Sequence, residues 1–348
     1  MGPRFLTFSI ALVTSLAITI PVRQFAIRLG MVDRPGPRKI HVEPSPLLGG
    51  VAIYFGVILA LLSSYRGWAL GQILAILAAA TMLLLVGTLD DRGLLHHQVK
   101  LFLAMPLAGL ILLSAGVRTQ IFSPILPGRF GILADALITI FWITGITAAF
   151  SILDYMDGLC AGVAAIASLF LAFLTHRNGE PFVSTLAAAV AGAALGFLAW
   201  NFSPAKIFMG DGGAMLLGFL VATLALKLRV TTLSPHAAWL MPILLLAVPI
   251  FDTALVSVSR LRRGLIPFTS PGKDHTGHRL ANSGLGTRMS VLAMYAMGVG
   301  GGLLAIVSTR LNSLVMLSLA GALLLALGGA IALLECVPYE RQDSRCTR

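Results

Sequence analysis

The sequence is short of charge. Only 11% of its 348 residues are Asp, Glu, Lys or Arg, whereas an ordinary soluble domain carries about 25%. With 57% hydrophobic residues and a mean hydropathy of +0.91, this shortage excludes a soluble globular protein. Acids are the scarcer sign, 14 against 25 Lys and Arg. Cysteine is almost missing: Cys160, Cys336 and Cys346 lie far apart without CxxC spacing, which excludes a disulfide framework or a zinc site and leaves them as small packing residues. The sequence also lacks a polar stretch long enough for a separate soluble domain, and an internal repeat of the kind that marks inverted-repeat transporters. The first apolar run, about Phe5 to Val22, has no A-x-A cleavage pattern before Arg23 and reads as a retained span, not a signal peptide.

Long apolar runs are abundant. They fall at roughly 5 to 22, 47 to 65, 69 to 87, 99 to 117, 132 to 150, 159 to 175, 182 to 200, 212 to 228, 237 to 258, 289 to 307 and 312 to 334, each close to the ~20 residues that cross a bilayer as a helix. A bilayer admits only helices or closed barrels, and continuous apolar runs are not a barrel's alternation. The expectation is an all-α polytopic membrane protein, a bundle of about 11 transmembrane helices forming one integral membrane domain over residues 1–348.

Eleven crossings put 17 of the 25 Lys and Arg on one side, in loops after odd-numbered spans and in the C-terminal tail. The positive-inside rule makes that side cytoplasmic, with the N-terminus outside. The net charge of +11 is thereby a topology signal, and no nucleic acid is expected as a partner. The acids collect on the same face, and retention of positive charge does not explain them, because Asp and Glu contribute little to topology.

The acids form three sites, Asp90-Asp91, Asp154-x-x-Asp157 and Asp211, at the cytoplasmic ends of three different spans. Carboxylates at membrane depth are costly unless paired or holding a cation. Hard oxygen ligands favour Mg²⁺ or Mn²⁺, and Mg²⁺ binds through one or two carboxylates plus substrate phosphates. Asp211 sits in Asn201-Phe-Ser-Pro-Ala-Lys-Ile-Phe-Met-Gly-Asp-Gly-Gly213, where flanking glycines let the backbone approach a ligand or simply begin a helix. A third segment, Asp33-Arg-Pro-Gly-Pro-Arg-Lys39-Ile-His41, neutralises a phosphate or anchors to anionic lipid. The loop after the ninth span carries Arg260, Arg262 and Arg263, then Lys273-Asp-His275-Thr-Gly-His278-Arg279, a poor zinc site and a better contact for phosphate or pyrophosphate.

In this order the segments resemble the polyprenyl-phosphate N-acetylhexosamine-1-phosphate transferases, the MraY/WecA-like enzymes of glycosyltransferase family 4 type. The resemblance runs from about Asp33 to Leu280 and covers D-x-P-x-x-R-K-x-H-x-x-P-x-P-x-x-G-G, the D-D-R loop, D-x-x-D-G-L-x-A-G-V and N-x-x-P-A-K-x-F-M-G-D. H-T-G-H-R-L in the last loop is closer to the WecA type than to MraY. The resemblance implies transfer of a sugar 1-phosphate from a UDP-sugar donor to undecaprenyl or another polyprenyl phosphate, at the cytoplasmic face of the inner (plasma) membrane, with release of UMP. It implies Mg²⁺ (or Mn²⁺) on Asp211, with Asp90, Asp91 and Lys39 as further catalytic residues, one of the aspartates as general base. It places Lys100, Ser151, Asp154, Asp157, Asn201, His275, His278 and Arg279 against substrate. Membrane lipids are the remaining partners, and a homodimer is compatible with the pattern.

The chain departs from the family pattern at Ala148 and Ser151, where relatives have asparagine, at Tyr155, where they have glycine, and at Gly277, where H-x-H-H has histidine. Serine keeps a hydroxyl but not the paired donor and acceptor of a carboxamide. Two other classes compete with the transferase. A transporter or ion-binding protein requires acids or broken helices near mid-span, while these acids lie at span ends; a catalytically inactive, lipid-binding relative is motivated by the four departures. Direct attack by the lipid phosphate and a covalent aspartyl intermediate both remain open.

Overall fold

In a computed structural model of the chain, residues 2–33, 44–67, 70–95, 97–228, 239–267 and 272–337 are described. The chain is mostly helical: α1 (Gly2–Arg28), α2 (Gly49–Ser64), α3 (Leu70–Asp91), α4 (Met105–Ser114), α5 (Arg129–Leu153), α6 (Leu159–Arg177), α7 (Pro181–Asn201), α8 (Gly210–Lys227), α9 (Leu240–Leu245), α10 (Ala247–Arg262), α11 (Thr276–Leu280), α12 (Gly286–Ser308) and α13 (Ser313–Glu335). Two strands, β1 (Val32–Asp33) and β2 (Ser45–Pro46), pair antiparallel with Val32 opposite Pro46.

Every apolar run expected to span the bilayer falls on a helix, and among the described residues eight helices are long and apolar enough to cross. The chain is a polytopic membrane protein. Two expected spans, α2 and Lys100–Ser114, are shorter. The run at 237 to 258 is divided at Leu246 into α9 and α10, and its first residues lie outside the described set. Large apolar side chains such as Phe5, Phe102, Phe130, Phe141 and Leu325 are exposed, as a lipid-facing surface requires.

Small residues set the spacing of the inner helices, as expected where apolar side chains gain nothing by leaving lipid. On α7, Cβ atoms at Gly192 and Gly196 would run into the carbonyls of Phe8 and Leu12 on α1. The α8 helix is the most enclosed of the long helices, packed by α3 on one side and α5 on another, whereas α13 is the least. At the α3–α8 crossing a Cβ on Gly87 would enter the backbone of Gly212, and one on Gly212 would lie 2.7 Å from the Leu84 carbonyl. The backbones touch there, one turn before Asp90 and Asp91 and one residue after Asp211. The α2 N-terminus joins the same point: Gly49 N–H donates to Phe208 O and Gly50 N–H to Met209 O, both at 3.0 Å.

A methyl group at that crossing forces the helices apart. Gly87→Ala is expected to destabilise the protein by about 1–3 kcal/mol, the usual cost of overpacking, while Gly145→Ala, where nothing lies within 4 Å, is expected to be neutral. Melting temperatures in detergent compare the two; equal values would show that the contact is not tight.

Candidate active site

The α3–α8 contact sets the first carboxylates. Asp91 Oδ1 accepts the Asp211 N–H at 3.0 Å. Gly210, with φ of 74°, turns the chain into α8 where a side chain would strike the Asp91 carboxylate. Lys100 reaches the pair from a π-helical turn, Lys100–Ala104, that precedes α4. Its Nζ donates to Asp90 Oδ2 at 2.7 Å and to Asp211 Oδ2. Ser151, near the end of α5, donates from Oγ to Asp211 Oδ1 at 3.3 Å. Asp154 follows α5 directly, near enough to Asp211, Asp91 and Asp157 for their charges to act on it. Burial, with the charges of Asp211, Asp91 and Asp157 adding to it, pushes its carboxyl up to about 8. Four carboxylates from three elements thus converge, with one ammonium joining two of them.

A second layer fixes the loops. Asn201, buried at the end of α7, accepts the Gly158 N–H at 3.1 Å and donates to Ile207 O at 3.0 Å. Asp157 Oδ2 accepts the Ala205 N–H at 3.0 Å. Together they tie the Asp154–Gly158 turn to the segment leading into Asp211.

The histidines form a third group. Asp252 on α10 holds His275 Nδ1 at 2.9 Å and accepts the Thr276 N–H at 2.7 Å. The His278 ring lies 6.1 Å from that of His275, centroid to centroid, and 4.9 Å from that of Tyr155. Beneath them Asp274 takes both arms of Arg260, at 3.0 and 2.9 Å, and pairs with Arg263. Arg279 is fully buried, donating to Asp274 O at 2.9 Å, Ser259 Oγ at 2.7 Å and Glu335 Oε1 at 2.6 Å.

With this geometry in view, comparison with known proteins is decisive. A model described as "Glycosyl transferase family 4" matches residues 73–229. A "Probable undecaprenyl-phosphate N-acetylglucosaminyl 1-phosphate transferase" of Bacillus subtilis (strain 168) is 37% identical over 294 residues, covering 84% of this chain and 81% of the relative. The chain belongs to glycosyl transferase family 4. A "Decaprenyl-phosphate N-acetylglucosaminephosphotransferase" of Mycolicibacterium smegmatis is 34% identical over 79% of this chain and 74% of its own length. An "Undecaprenyl-phosphate alpha-N-acetylglucosaminyl 1-phosphate transferase" of Yersinia pestis is 28% identical over 86% and 82%.

In this family 4 chain the matched region holds all four converging carboxylates, Lys100, Ser151, Asp157 and Asn201, while the histidine loop lies beyond it. Of the residues expected at the site, Asp90, Asp91, Lys100, Ser151, Asp154 and Asp211 come together. Asp157 and Asn201 engage backbone, His275 and His278 form their own group, and Arg279 is inside the protein holding its loop. Lys39 lies outside the described residues. The glycines around Asp211, which in sequence could admit a ligand, serve helix contact and the Asp91 approach, and the Asp211 N–H is taken by Asp91. Arg260 and Arg263, read as phosphate contacts, are paired with Asp274. Asp252 is a residue that the sequence motifs do not single out; its place within an apolar run, Val-Pro-Ile-Phe-Asp-Thr-Ala-Leu, is the signal that it serves a partner.

Among the described residues no three His, Cys, Asp or Glu side chains form a ready-made metal cage. The donor set nonetheless fits an ion held jointly by protein and substrate: the hard carboxylate oxygens of Asp211 and its neighbours Asp90 and Asp91 meet with one ammonium, Lys100, shared between two of them.

The pairing of Asp274 gives a pH dependence. Burial acts to raise its carboxyl, but the hydrogen bonds and charge of Arg260, with Arg263 and His275, outweigh it and bring the carboxyl down to about 2. A value below the ordinary 3.8 means stability that is present at neutral pH and lost as pH falls toward 2. Asp274→Asn is expected to cost about 2 kcal/mol at pH 7 and to flatten the acid side of the melting-temperature profile. An unchanged profile in that variant would show that these ion pairs contribute nothing.

Proposed function

We propose that this protein transfers N-acetylglucosamine 1-phosphate from UDP-N-acetylglucosamine to undecaprenyl phosphate, releasing UMP and beginning a lipid-linked cell-envelope glycan. The observation that carries the reading is the convergence of Asp90, Asp91, Asp154 and Asp211 with Lys100 at one end of the helix bundle. The names of the relatives, all N-acetylglucosaminyl phosphotransferases acting on polyprenyl phosphates, supply the substrate classes. We read the topology as eleven crossings with the N-terminus outside and this end at the cytoplasmic face of a bacterial inner membrane, a reading supported by the 17 basic residues assigned to that side. There a soluble nucleotide sugar and a lipid headgroup can meet.

In the reaction an oxygen of the lipid phosphate attacks the sugar-bearing phosphorus of the donor. A phosphorus–oxygen bond forms there, the bond to the bridging oxygen breaks, and UMP leaves with the electron pair. The Asp90–Asp91 pair takes the acceptor's proton. Lys100 offsets phosphate charge once substrate competes with the carboxylates for its ammonium, and Ser151 orients Asp211. Asp211, with Asp154 beside it, would hold Mg²⁺, which supplies charge neutralisation on the transferring phosphates. His275, fixed by Asp252, faces the donor pyrophosphate. The departures at Ala148, Ser151, Tyr155 and Gly277 leave every one of these carboxylates in place, which favours an active enzyme over an inert relative.

The test is turnover. Purified protein with Mg²⁺, undecaprenyl phosphate and UDP-N-acetylglucosamine is expected to release UMP, to stop on chelation by EDTA and to resume on adding Mg²⁺. Asp211→Asn and Lys100→Met are each expected to lower kcat on the order of 10³-fold. No UMP from any donor in a broad UDP-sugar panel, with Asp211→Asn leaving nucleotide binding unchanged, would refute the reading.

A further inference from the structure

Tyr155 follows Asp154 on the turn between α5 and α6 and has no part in the chemistry above. Its ring stacks on the His275 imidazole, centroids 4.3 Å apart and planes 28° from parallel, and lies 4.9 Å from the His278 ring. Its hydroxyl donates to Asp252 Oδ1 at 3.2 Å and accepts the Gly277 N–H at 2.9 Å. Asp252 in turn holds His275 Nδ1. One side chain therefore touches the face of the His275 ring, the carboxylate that orients it, and the backbone two residues further on.

The opposite face of the contact is equally specific. A Cβ on Gly277 would lie 2.8 Å from Met156 Sδ, closer than side chains tolerate, and 3.0 Å from Tyr155 Cε2 and Oη, tighter than most contacts. The volume that a side chain at 277 would fill is shared by Tyr155 and its neighbour Met156. Tyr155 and Gly277 are 122 residues apart in sequence, and the fold brings them into direct contact across the site.

We propose that Tyr155 is a positioning residue for the His275–His278 loop: from the Asp154 turn it supplies the side chain that position 277 lacks, and it aims His275 at the donor. This rests on the proposed transferase reading for its substrate, though not for its geometry. The phenol links the carboxylate site to the histidine group, because the residue that aims His275 is the immediate neighbour of Asp154. It belongs to the donor side, so its loss acts on the nucleotide sugar and spares the lipid acceptor.

The experiment uses the full chain in lipid nanodiscs and compares wild type with Tyr155→Phe, Tyr155→Gly, Gly277→His and the Tyr155→Gly/Gly277→His double variant. Two readouts are taken: kcat and KM for UDP-N-acetylglucosamine and undecaprenyl phosphate, and the rates at which diethylpyrocarbonate modifies His275 and His278, followed by mass spectrometry. Tyr155→Phe keeps the stack and removes the hydroxyl; it is expected to lower donor kcat/KM about 10-fold, the loss of a buried hydrogen bond whose partners stay unpaired, with the acceptor KM unchanged. Tyr155→Gly is expected to speed modification of both histidines by about 5-fold or more, and the double variant to recover activity beyond the product of the single effects by at least about 5-fold, as coupled neighbours do. Should Gly277→His fail to reach the membrane folded, Gly277→Ala takes its place, alone and with Tyr155→Gly. Kinetics and modification rates equal to wild type in Tyr155→Phe and Tyr155→Gly, or effects that simply multiply in the double variant, overturn the proposal. If wild type itself releases no UMP, the transferase reading fails while the modification rates still decide the role of Tyr155.

Discussion

The backbone contact between Gly87 and Gly212 is the constraint on which the site depends. Helices α3 and α8 approach until neither position has room for a β-carbon, and this brings the last residues of α3 against the first turn of α8. Asp91 can then accept the Asp211 N–H. With larger residues at the crossing the two aspartates would stand apart, and Lys100 could not join Asp90 to Asp211. The same logic recurs where Gly49 and Gly50 bring the α2 N-terminus onto Phe208 and Met209. In a bilayer, where burying an apolar side chain in protein gains little over leaving it in lipid, this close approach of small residues is the available source of precise packing.

Electrostatics then decides what the site accepts. Carboxylates gathered at a partly buried point repel one another, and at Asp154 burial first, with the charges of Asp211, Asp91 and Asp157 adding to it, pushes the carboxyl up to about 8. Such a cluster is costly to an empty protein and favourable to one that receives cations together with phosphates. The supporting loops are built to resist the repulsion: Asn201 and Asp157 pin the Asp154 turn to the segment before Asp211, and the Arg260–Asp274–Arg263 group secures the base of the histidine loop. Charged residues absorbed in this scaffold, Arg279 above all, are unavailable to substrate even though they sit in the most motif-like part of the chain.

The helices were legible because continuous apolar runs have one physical meaning in a chain this poor in charge. The carboxylates were legible because acids are so few that three groups at span ends stand out. What sequence did not carry was pairing across the bundle. Arg260 and Arg279 look alike in a list of cations, and only their partners, Asp274 and Glu335, show that both face inward. Asn201 reads as a ligand-binding carboxamide until both of its ends are seen to grip backbone. Tyr155 and Gly277 read as two separate departures, since nothing in their local sequence says that they meet across the site. Asp252 was hidden for the same reason: its meaning lies in His275, 23 residues away.

We propose that Asp211 and its neighbours form a cation site completed by the donor's phosphates. Electron paramagnetic resonance of Mn²⁺ added to the purified protein tests it most directly. UDP-N-acetylglucosamine is expected to strengthen Mn²⁺ binding and to add phosphorus hyperfine coupling to the spectrum, and Asp211→Asn is expected to abolish both effects. Mn²⁺ binding that is indifferent to the nucleotide sugar, or unaltered in Asp211→Asn, would contradict it.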